Sequence, residues 1–156
     1  MKKKVLKIVL AVIILFAAYN IAWFAWSRTK YGRLSDGMEK ADFGNLVVPR
    51  YTYTDDDRFD YMVKYPDYLR LTGNIYVGLS GTNENPFHDG LIAWPTLSGA
   101  YDLGVVLYDE DGSEHLVYID SEGNALSQED EEVVSRHSDN ISTLLSMADE
   151  QWGILG

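Results

Sequence analysis

Four aspartates that lie close together in the sequence form the best candidate for a metal site. Asp55, Asp56 and Asp57 are consecutive, and Asp60 follows after two further residues. Neighbouring carboxylates supply the oxygen ligands that Ca²⁺ prefers in proteins. A run of acidic residues is also typical of a solvated loop. We therefore expect no obligatory cofactor, and Ca²⁺ bound by this Asp55–Asp60 cluster is the one metal hypothesis.

Histidine and carboxylate side chains are the candidates for acid–base chemistry. The chain contains no cysteine, which excludes disulfides, thiolate metal sites and a cysteine nucleophile. The three histidines are His88, His115 and His137. We interpret His88 as a loop residue that could bind a ligand, His115 as the cross-strand partner of Tyr108, and His137 as part of a buried helical stripe. The sequence contains no nucleophile elbow, HExxH motif, phosphate loop or dinucleotide fingerprint. We predict a protein that is not an enzyme. A hydrolase that uses His88 with the Asp55–Asp60 carboxylates is the less favoured alternative, and it requires His88 and Asp57 to share a cleft.

Tyrosine is unusually frequent, with eleven residues in the chain. An exposed tyrosine at a sheet edge or in a loop can stack on a sugar or anchor a protein partner. The candidate binding residues are therefore Tyr51, Tyr53 and Tyr76, together with His88. The alternative is that these rings follow from strand propensity and fill the core.

Residues 105–134 contain ten acidic side chains, and two tight turns together with the N-terminus of a helix explain most of them. Asp-Gly between two apolar runs is a strong hairpin signal. With Asp111 and Gly112 at the tip of a two-residue turn, Leu107 faces Leu116. A calcium loop of the EF-hand type would need glycine at its sixth position, whereas Gly112 is fourth when counted from Asp109. The similar segment 120–124 is likewise predicted to be a turn.

The first 26 residues contain a candidate membrane span. Residues 8–26 are apolar except for Asn20, and as a helix they would cover about 28 Å, close to the ~30 Å hydrocarbon layer of a bilayer. Basic and aromatic side chains flank this span, as is typical of the membrane–water interface. The predicted interface residues are Lys7, Trp23, Trp26, Arg28 and Tyr31.

A retained anchor and a cleaved signal peptide are both compatible with this leader, and its length favours the anchor. Four basic residues precede the apolar run and three follow it closely, which favours a cytoplasmic N-terminus. We predict a signal-anchor helix over 1–27, a linker over 28–45 and an extracytoplasmic domain over 46–156, at a plasma membrane of bacterial type.

The charge of the chain is distributed unevenly. The total is −11, but after residue 34 six basic residues stand against all 24 acidic ones, which gives −18 for that part. Nucleic acid is therefore excluded as a partner, because phosphate binding requires a basic surface. A protein or cationic partner at the cell envelope is expected instead.

The patterns of apolar residues predict an α+β fold with a small, mostly antiparallel sheet and a C-terminal helix on one of its faces. The helix begins at Ser127, is weakened at residues 137–140 and ends at Gly153. The predicted strands are 46–53, 60–65, 68–80, 91–95 and the hairpin that begins near residue 101. The most favoured function is a membrane-anchored binding or accessory protein, and the alternative is a structural subunit of a membrane protein complex.

Overall fold

The computed structural model describes residues 2–41, 48–55, 59–68, 70–79, 88–109 and 111–155. Within these ranges a long helix is followed by seven strands and then by two consecutive helices, which confirms the α+β class. The helices are α1 (Lys2–Leu34), α2 (Glu131–Arg136) and α3 (Ser138–Trp152). The strands are β1 (Glu39–Lys40), β2 (Arg50–Thr54), β3 (Phe59–Lys64), β4 (Asn74–Leu79), β5 (Gly90–Pro95), β6 (Tyr101–Tyr108) and β7 (Glu114–Ile119).

The seven strands form one antiparallel sheet in which their spatial order matches their order in the chain. Because every pair is antiparallel, the β3–β4 and β5–β6 connections lie at the same end of the sheet. This end contacts helix α1, and we refer to it as the α1 end. Strands β2, β4 and β6 terminate at the opposite end of the sheet, which we refer to as the far end.

One face of the sheet carries the hydrophobic core. Alternate residues of β3 to β7 point to this face and are buried, in keeping with the period of two along a strand. They are Tyr61, Val63, Ile75, Val77, Leu91, Ala93, Leu103, Val105, Leu107, Val117 and Ile119. Helix α3 covers this face with Ile141, Leu144, Leu145 and Ala148, and it contacts β4 and β5.

The other face of the sheet is the open face. Here the ring of Tyr76 lies so close to the backbone of Gly78 and Gly90 that a Cβ atom at either glycine would overlap it. Nearby, the rings of Trp94 and Tyr118 lie 5.8 Å apart. Tyr118 remains 53% exposed and Leu116 remains 51% exposed on this face.

The C-terminal helical segment follows its prediction closely. Ser127 caps a short 3₁₀ turn by accepting a hydrogen bond from the backbone N–H of Glu129, and α2 follows directly. The predicted interruption occurs at His137, between α2 and α3. Gly153 ends α3 in the left-handed conformation, with φ of 62°.

The β6–β7 hairpin differs from its prediction by one residue in register. Leu107 pairs with His115, and Leu116 pairs with Val106. The reason is the turn: Gly112 takes a φ of 83° and its N–H donates to the carbonyl of Asp109, so the loop has three residues in place of two. A shift of one residue moves every side chain of one strand to the other face. Leu116 and Tyr118 therefore lie on the open face.

The long strand predicted over 68–80 is wrong in its first half, because β4 begins at Asn74. Gly73 explains the change. A Cβ atom at this position would lie 2.0 Å from the carbonyl oxygen of Lys64, so the backbone passes too close for any side chain. The N–H of Gly73 donates a hydrogen bond to the hydroxyl of Tyr31, at 2.7 Å, rather than to a neighbouring strand.

Helix α1 continues through the first part of the predicted linker. Residues 28–34 are helical, and Glu39–Lys40 forms the outermost strand beside β2, so the strand that contains Tyr51 and Tyr53 is not at the edge. The predicted residues 46 and 47 of that strand lie outside the described ranges. Tyr31 is fully buried in the core beside Tyr65, with a distance of 5.5 Å between the ring centroids. Its side chain therefore packs within the domain, and its assignment to the membrane interface stays a prediction.

Candidate functional site

A buried carboxylate at the far end of the sheet organises the most connected polar network in the described ranges. Asp89, which is 6% exposed, immediately precedes β5. Its Oδ1 accepts a hydrogen bond from the N–H of Tyr108 at 2.9 Å. Its Oδ2 lies 2.8 Å from Nδ1 of His137 and accepts a hydrogen bond of 2.8 Å from Nδ2 of Asn140. Asp89 therefore ties β5 and β6 to the start of α3.

A second carboxylate, Asp109, extends this network to the protein surface. Oδ2 of Asp109 lies 3.0 Å from Nε2 of His115, and Oδ1 lies 2.8 Å from Nη1 of Arg136 and 3.6 Å from Nε2 of His137. Desolvation alone would raise the pKa of Asp109. The hydrogen bond from His115, the proximity of His137 and the charge of Arg136 outweigh that effect and hold this pKa below its usual value.

The hydrogen bonds of this network hold β5, β6 and the start of α3 together, and we refer to the network as a clamp. Asp89 orients His137 through Nδ1, as the carboxylate does in an acid–base pair. The other ring nitrogen, however, faces Asp109, which is a carboxylate and not a hydroxyl that His137 could activate as a nucleophile. The adjacent cavity of about 470 Å³ is lined by Tyr108, Asp109, Asp111, Arg136 and His137.

Where the structure describes the predicted metal ligands, their carboxylates accept hydrogen bonds from other residues of the chain. Oδ1 of Asp55 accepts a hydrogen bond from the N–H of Phe59 at 2.8 Å, and Oδ2 accepts one from the Tyr61 hydroxyl at 3.1 Å. Asp60 lies on the open face and accepts a hydrogen bond from Thr54. Asp56 and Asp57 lie outside the described residues. Among the residues that are described, no group of three or more potential ligands is arranged to hold a metal ion.

The predicted binding residues do not form a common surface. Tyr51 and Tyr53 face the core side of the sheet, where they stack near Tyr65 and Tyr61 respectively. Tyr76 lies on the open face, where its ring covers glycine backbone. His88 is partly buried at the far end, beside Asp89. Its proposed proximity to Asp57 remains a prediction.

The remaining predicted interface residues lie along α1: Lys7 is near its start, and Trp23, Trp26 and Arg28 are in its C-terminal half. Lys7 and Arg28 are exposed, and the guanidinium of Arg28 lies 5.2 Å from the centre of the Phe24 ring. Trp26 packs against the core, and Trp23 donates a hydrogen bond from Nε1 to the carbonyl of Arg70 at 2.7 Å. The helix over Lys3–Leu34 is long and apolar enough to cross a membrane.

Sequence reasoning missed the Asp89 network and the polar partner of Asn20. Asn20, the polar residue within the apolar run, accepts a hydrogen bond from the Tyr68 hydroxyl at 2.5 Å. Its own Nδ2 donates to the carbonyl of Phe16 at 2.7 Å. A polar residue in an otherwise apolar span was a signal that a partner exists, although the sequence did not identify it.

Comparison of the chain with models of protein families, with curated proteins and with solved structures found no match.

Proposed function

We propose that this protein is a membrane-anchored binding protein without catalytic activity. In this proposal α1 crosses a plasma membrane of bacterial type once, the N-terminus is cytoplasmic, and the acidic domain lies outside the cytoplasm. The domain binds a protein partner at the cell envelope through the open face of the sheet.

The observation that carries the proposal is the change of environment along α1. Side chains in its apolar part are exposed to an extent that is costly in water, for example Leu15 and Ile21 at 70% each, whereas Tyr31 in the same helix is fully buried. A helix that continues without a break into the core of a domain holds that domain in a fixed position relative to the membrane.

The open face supports the binding role. Trp94, Leu116 and Tyr118 form an apolar and aromatic patch on this face, and Leu116 and Tyr118 are about half exposed. Aromatic residues of this kind dominate the energetics of protein interfaces. Asp102, beside Trp94, and Glu114, at the start of β7, place carboxylates at the border of the patch.

The charge of the domain indicates the type of partner. The patch has carboxylates around an apolar centre. Its complementary partner is a protein surface that also has an apolar centre but is bordered by lysine or arginine. The formal charge of −18 after residue 34 would accelerate association with such a surface and make it sensitive to salt.

Photocrosslinking in intact cells tests this proposal. A photoreactive amino acid at position 118 should give a discrete crosslinked species, and the same group at Ser146, on the exposed side of α3, should not. The replacement of both Asp102 and Glu114 by their amides should remove the species, because the partner is recognised partly by charge.

Two results would contradict the proposal. The first is a crosslinking pattern that is the same at positions 118 and 146. The second is a crosslink to a membrane protein from position 15, on the exposed apolar part of α1, with none from position 118; this result would favour the alternative of a structural subunit whose helix pairs with another helix.

A further inference from the structure

Two loops at the α1 end of the sheet contact α1 within or just beyond its apolar run. In the loop between β3 and β4, the Tyr68 hydroxyl binds Asn20 and the carbonyl of Arg70 accepts the hydrogen bond from Trp23. In the loop between β5 and β6, the carbonyl of Thr96 accepts a hydrogen bond from Nζ of Lys30 at 2.6 Å. Part of the domain therefore lies beside α1 at the level of its apolar run, and not only beyond the end of that run.

The position of these contacts along α1 sets their depth in a bilayer. Asn20 lies twelve residues beyond Ile8, which is about 18 Å of helix. The hydrocarbon layer is about 30 Å thick, so a span that begins near Ile8 still has lipid around it at Asn20 and Trp23. The side chain of Tyr68, which contacts both residues, would lie at the depth of the outer leaflet.

The exposed side chains of the two loops suit such a position. Tyr68 is 52% exposed, Leu71 is 43% exposed, and Leu97, in the tight turn after β5, is 71% exposed. Exposed apolar side chains that occur together mark an interaction surface, and these three occur on the two loops that contact α1.

Basic side chains surround the same region. Arg28 and Arg33 are exposed on α1, Arg70 is exposed beside Leu71, and Lys30 lies against the β5–β6 loop. This local positive charge contrasts with the strongly acidic remainder of the domain. Lysine and arginine side chains close to the end of a span can bind the phosphates of anionic lipids. Their aliphatic stems stay in contact with apolar groups, so little hydrophobic contact is lost.

We propose that the two loops form a lipid-binding surface: Tyr68, Leu71 and Leu97 insert into the outer leaflet, and Arg28 and Arg70 bind the phosphates of anionic lipid headgroups. This proposal rests on the proposed membrane span. Although the domain as a whole is acidic, the residues at its base are basic and apolar.

Fluorescence quenching of the full-length protein in lipid nanodiscs tests the proposal, and the absence of native cysteine allows a single label at each chosen position. The nanodiscs contain phosphatidylglycerol, phosphatidylcholine and a phosphatidylcholine with a nitroxide near the top of its acyl chain. A polarity-sensitive dye on Leu97→Cys should be quenched several-fold more than the same dye on Leu116→Cys. Leu116 is the matched control because it is an exposed leucine about 17 Å from the α1 end, five residues of strand away.

A third label separates this proposal from the membrane span on which it rests. A dye on Ile14→Cys should be quenched by nitroxides deep in the acyl region. Quenching at position 14 together with equal, weak quenching at 97 and 116 would overturn the lipid-binding surface and leave the span intact, whereas no quenching at position 14 would overturn both.

The role of the basic side chains has its own readout. The quenching at position 97 should decrease in nanodiscs that contain only phosphatidylcholine, and it should also decrease in the Arg28→Gln, Arg70→Gln double variant with phosphatidylglycerol present. Equal quenching under all of these conditions would overturn the headgroup contacts.

Discussion

Nε1 of Trp152 donates a hydrogen bond to the backbone carbonyl of Leu34 at 2.9 Å, and this bond joins the last turn of the C-terminal helix to the last turn of the N-terminal helix. The two residues are 118 positions apart. The ring of Trp152 also packs edge-on against Tyr61, with 5.7 Å between the centroids. Trp152 therefore helps to fix the orientation of α1 relative to the sheet.

Replacement of Trp152 by phenylalanine should lower the free energy of unfolding by about 1–2 kcal/mol, because the hydrogen bond is lost and the smaller ring leaves part of its site unfilled. Denaturant unfolding of the full-length protein in detergent, followed by near-UV circular dichroism, measures the change. Ser146→Ala, on the exposed side of the same helix, should change this free energy by no more than about 0.5 kcal/mol. A loss of similar size in both variants would contradict the assigned role of Trp152.

The parts of the fold that the sequence predicted correctly depend on local signals. Ser127 as a cap, the interruption at His137 and the stop at Gly153 lie within the segments whose structure they determine. The register of the β6–β7 hairpin was wrong because Asp111 and Gly112 suit both a two-residue turn and a three-residue turn. The two turns differ in whether two residues or one residue take a positive φ, and the sequence alone does not show which of these occurs.

The candidate site could not be predicted because its contacts are long-range. Asp89 and His137 are 48 residues apart, as are Asn20 and Tyr68. Composition drew attention to His88 and to the aspartate run at 55–57, whereas the buried network is centred on Asp89. A single carboxylate beside a strand has no distinctive sequence pattern. Only the folded sheet brings Asp89 next to the N-terminus of α3.

Gly73 and Gly32 form a matched pair of positions near the contact between α1 and the sheet. Gly73→Ala should destabilise the protein by about 3 kcal/mol or more, because its Cβ would overlap the backbone of Lys64 and Tyr65. Gly32→Ala should stabilise it by up to about 1 kcal/mol, because the position is helical and the new Cβ meets only the Tyr65 hydroxyl, at 3.8 Å. Thermal unfolding measures both effects, and a tolerated Gly73→Ala would show that the close approach is absent.

Asp89→Ala should lower the free energy of unfolding by about 3–5 kcal/mol, because it removes a buried carboxylate that three groups share. The N–H of Tyr108, Nδ1 of His137 and Nδ2 of Asn140 all lose their contact with Asp89. Asp89→Asn keeps the shape of the side chain and should cost less. Asp139→Ala, an exposed carboxylate at the start of α3, is the control. Equal effects of Asp89→Ala and Asp139→Ala would argue against a clamp.

Gly112 and Gly123 occupy equivalent positions in the two similar turns, with φ values of 83° and 88°. Alanine at either position should cost about 1–2 kcal/mol, because a side chain disfavours the left-handed region. Gly123→Ala should cost more, because its Cβ would lie 3.2 Å from Cγ2 of Ile141 and 3.3 Å from Cδ1 of Leu145, whereas Gly112 has nothing within 4 Å. Urea unfolding of the two variants compares them directly. A larger loss for Gly112→Ala would contradict the packing of α3 against the second turn.

The stability of the domain should decrease in acid because native carboxylates have lowered pKa values. Hydrogen bonds from Asn124 lower the pKa of Asp120, and hydrogen bonds from Ser113 lower that of Asp111. A carboxyl whose pKa is lower in the folded state stabilises the protein above its unfolded pKa, about 3.9, and this contribution is lost as the pH falls through the folded pKa. Asp120→Asn should therefore be less stable than the wild type near neutral pH, and the difference should narrow below about pH 4 because asparagine does not titrate. Unfolding curves measured across this range, with Glu122→Gln as the control for the loss of one exposed charge in the same turn, test the assignment. A difference that stays constant as the pH falls would show that the carboxylate of Asp120 makes no charge-dependent contribution to the fold.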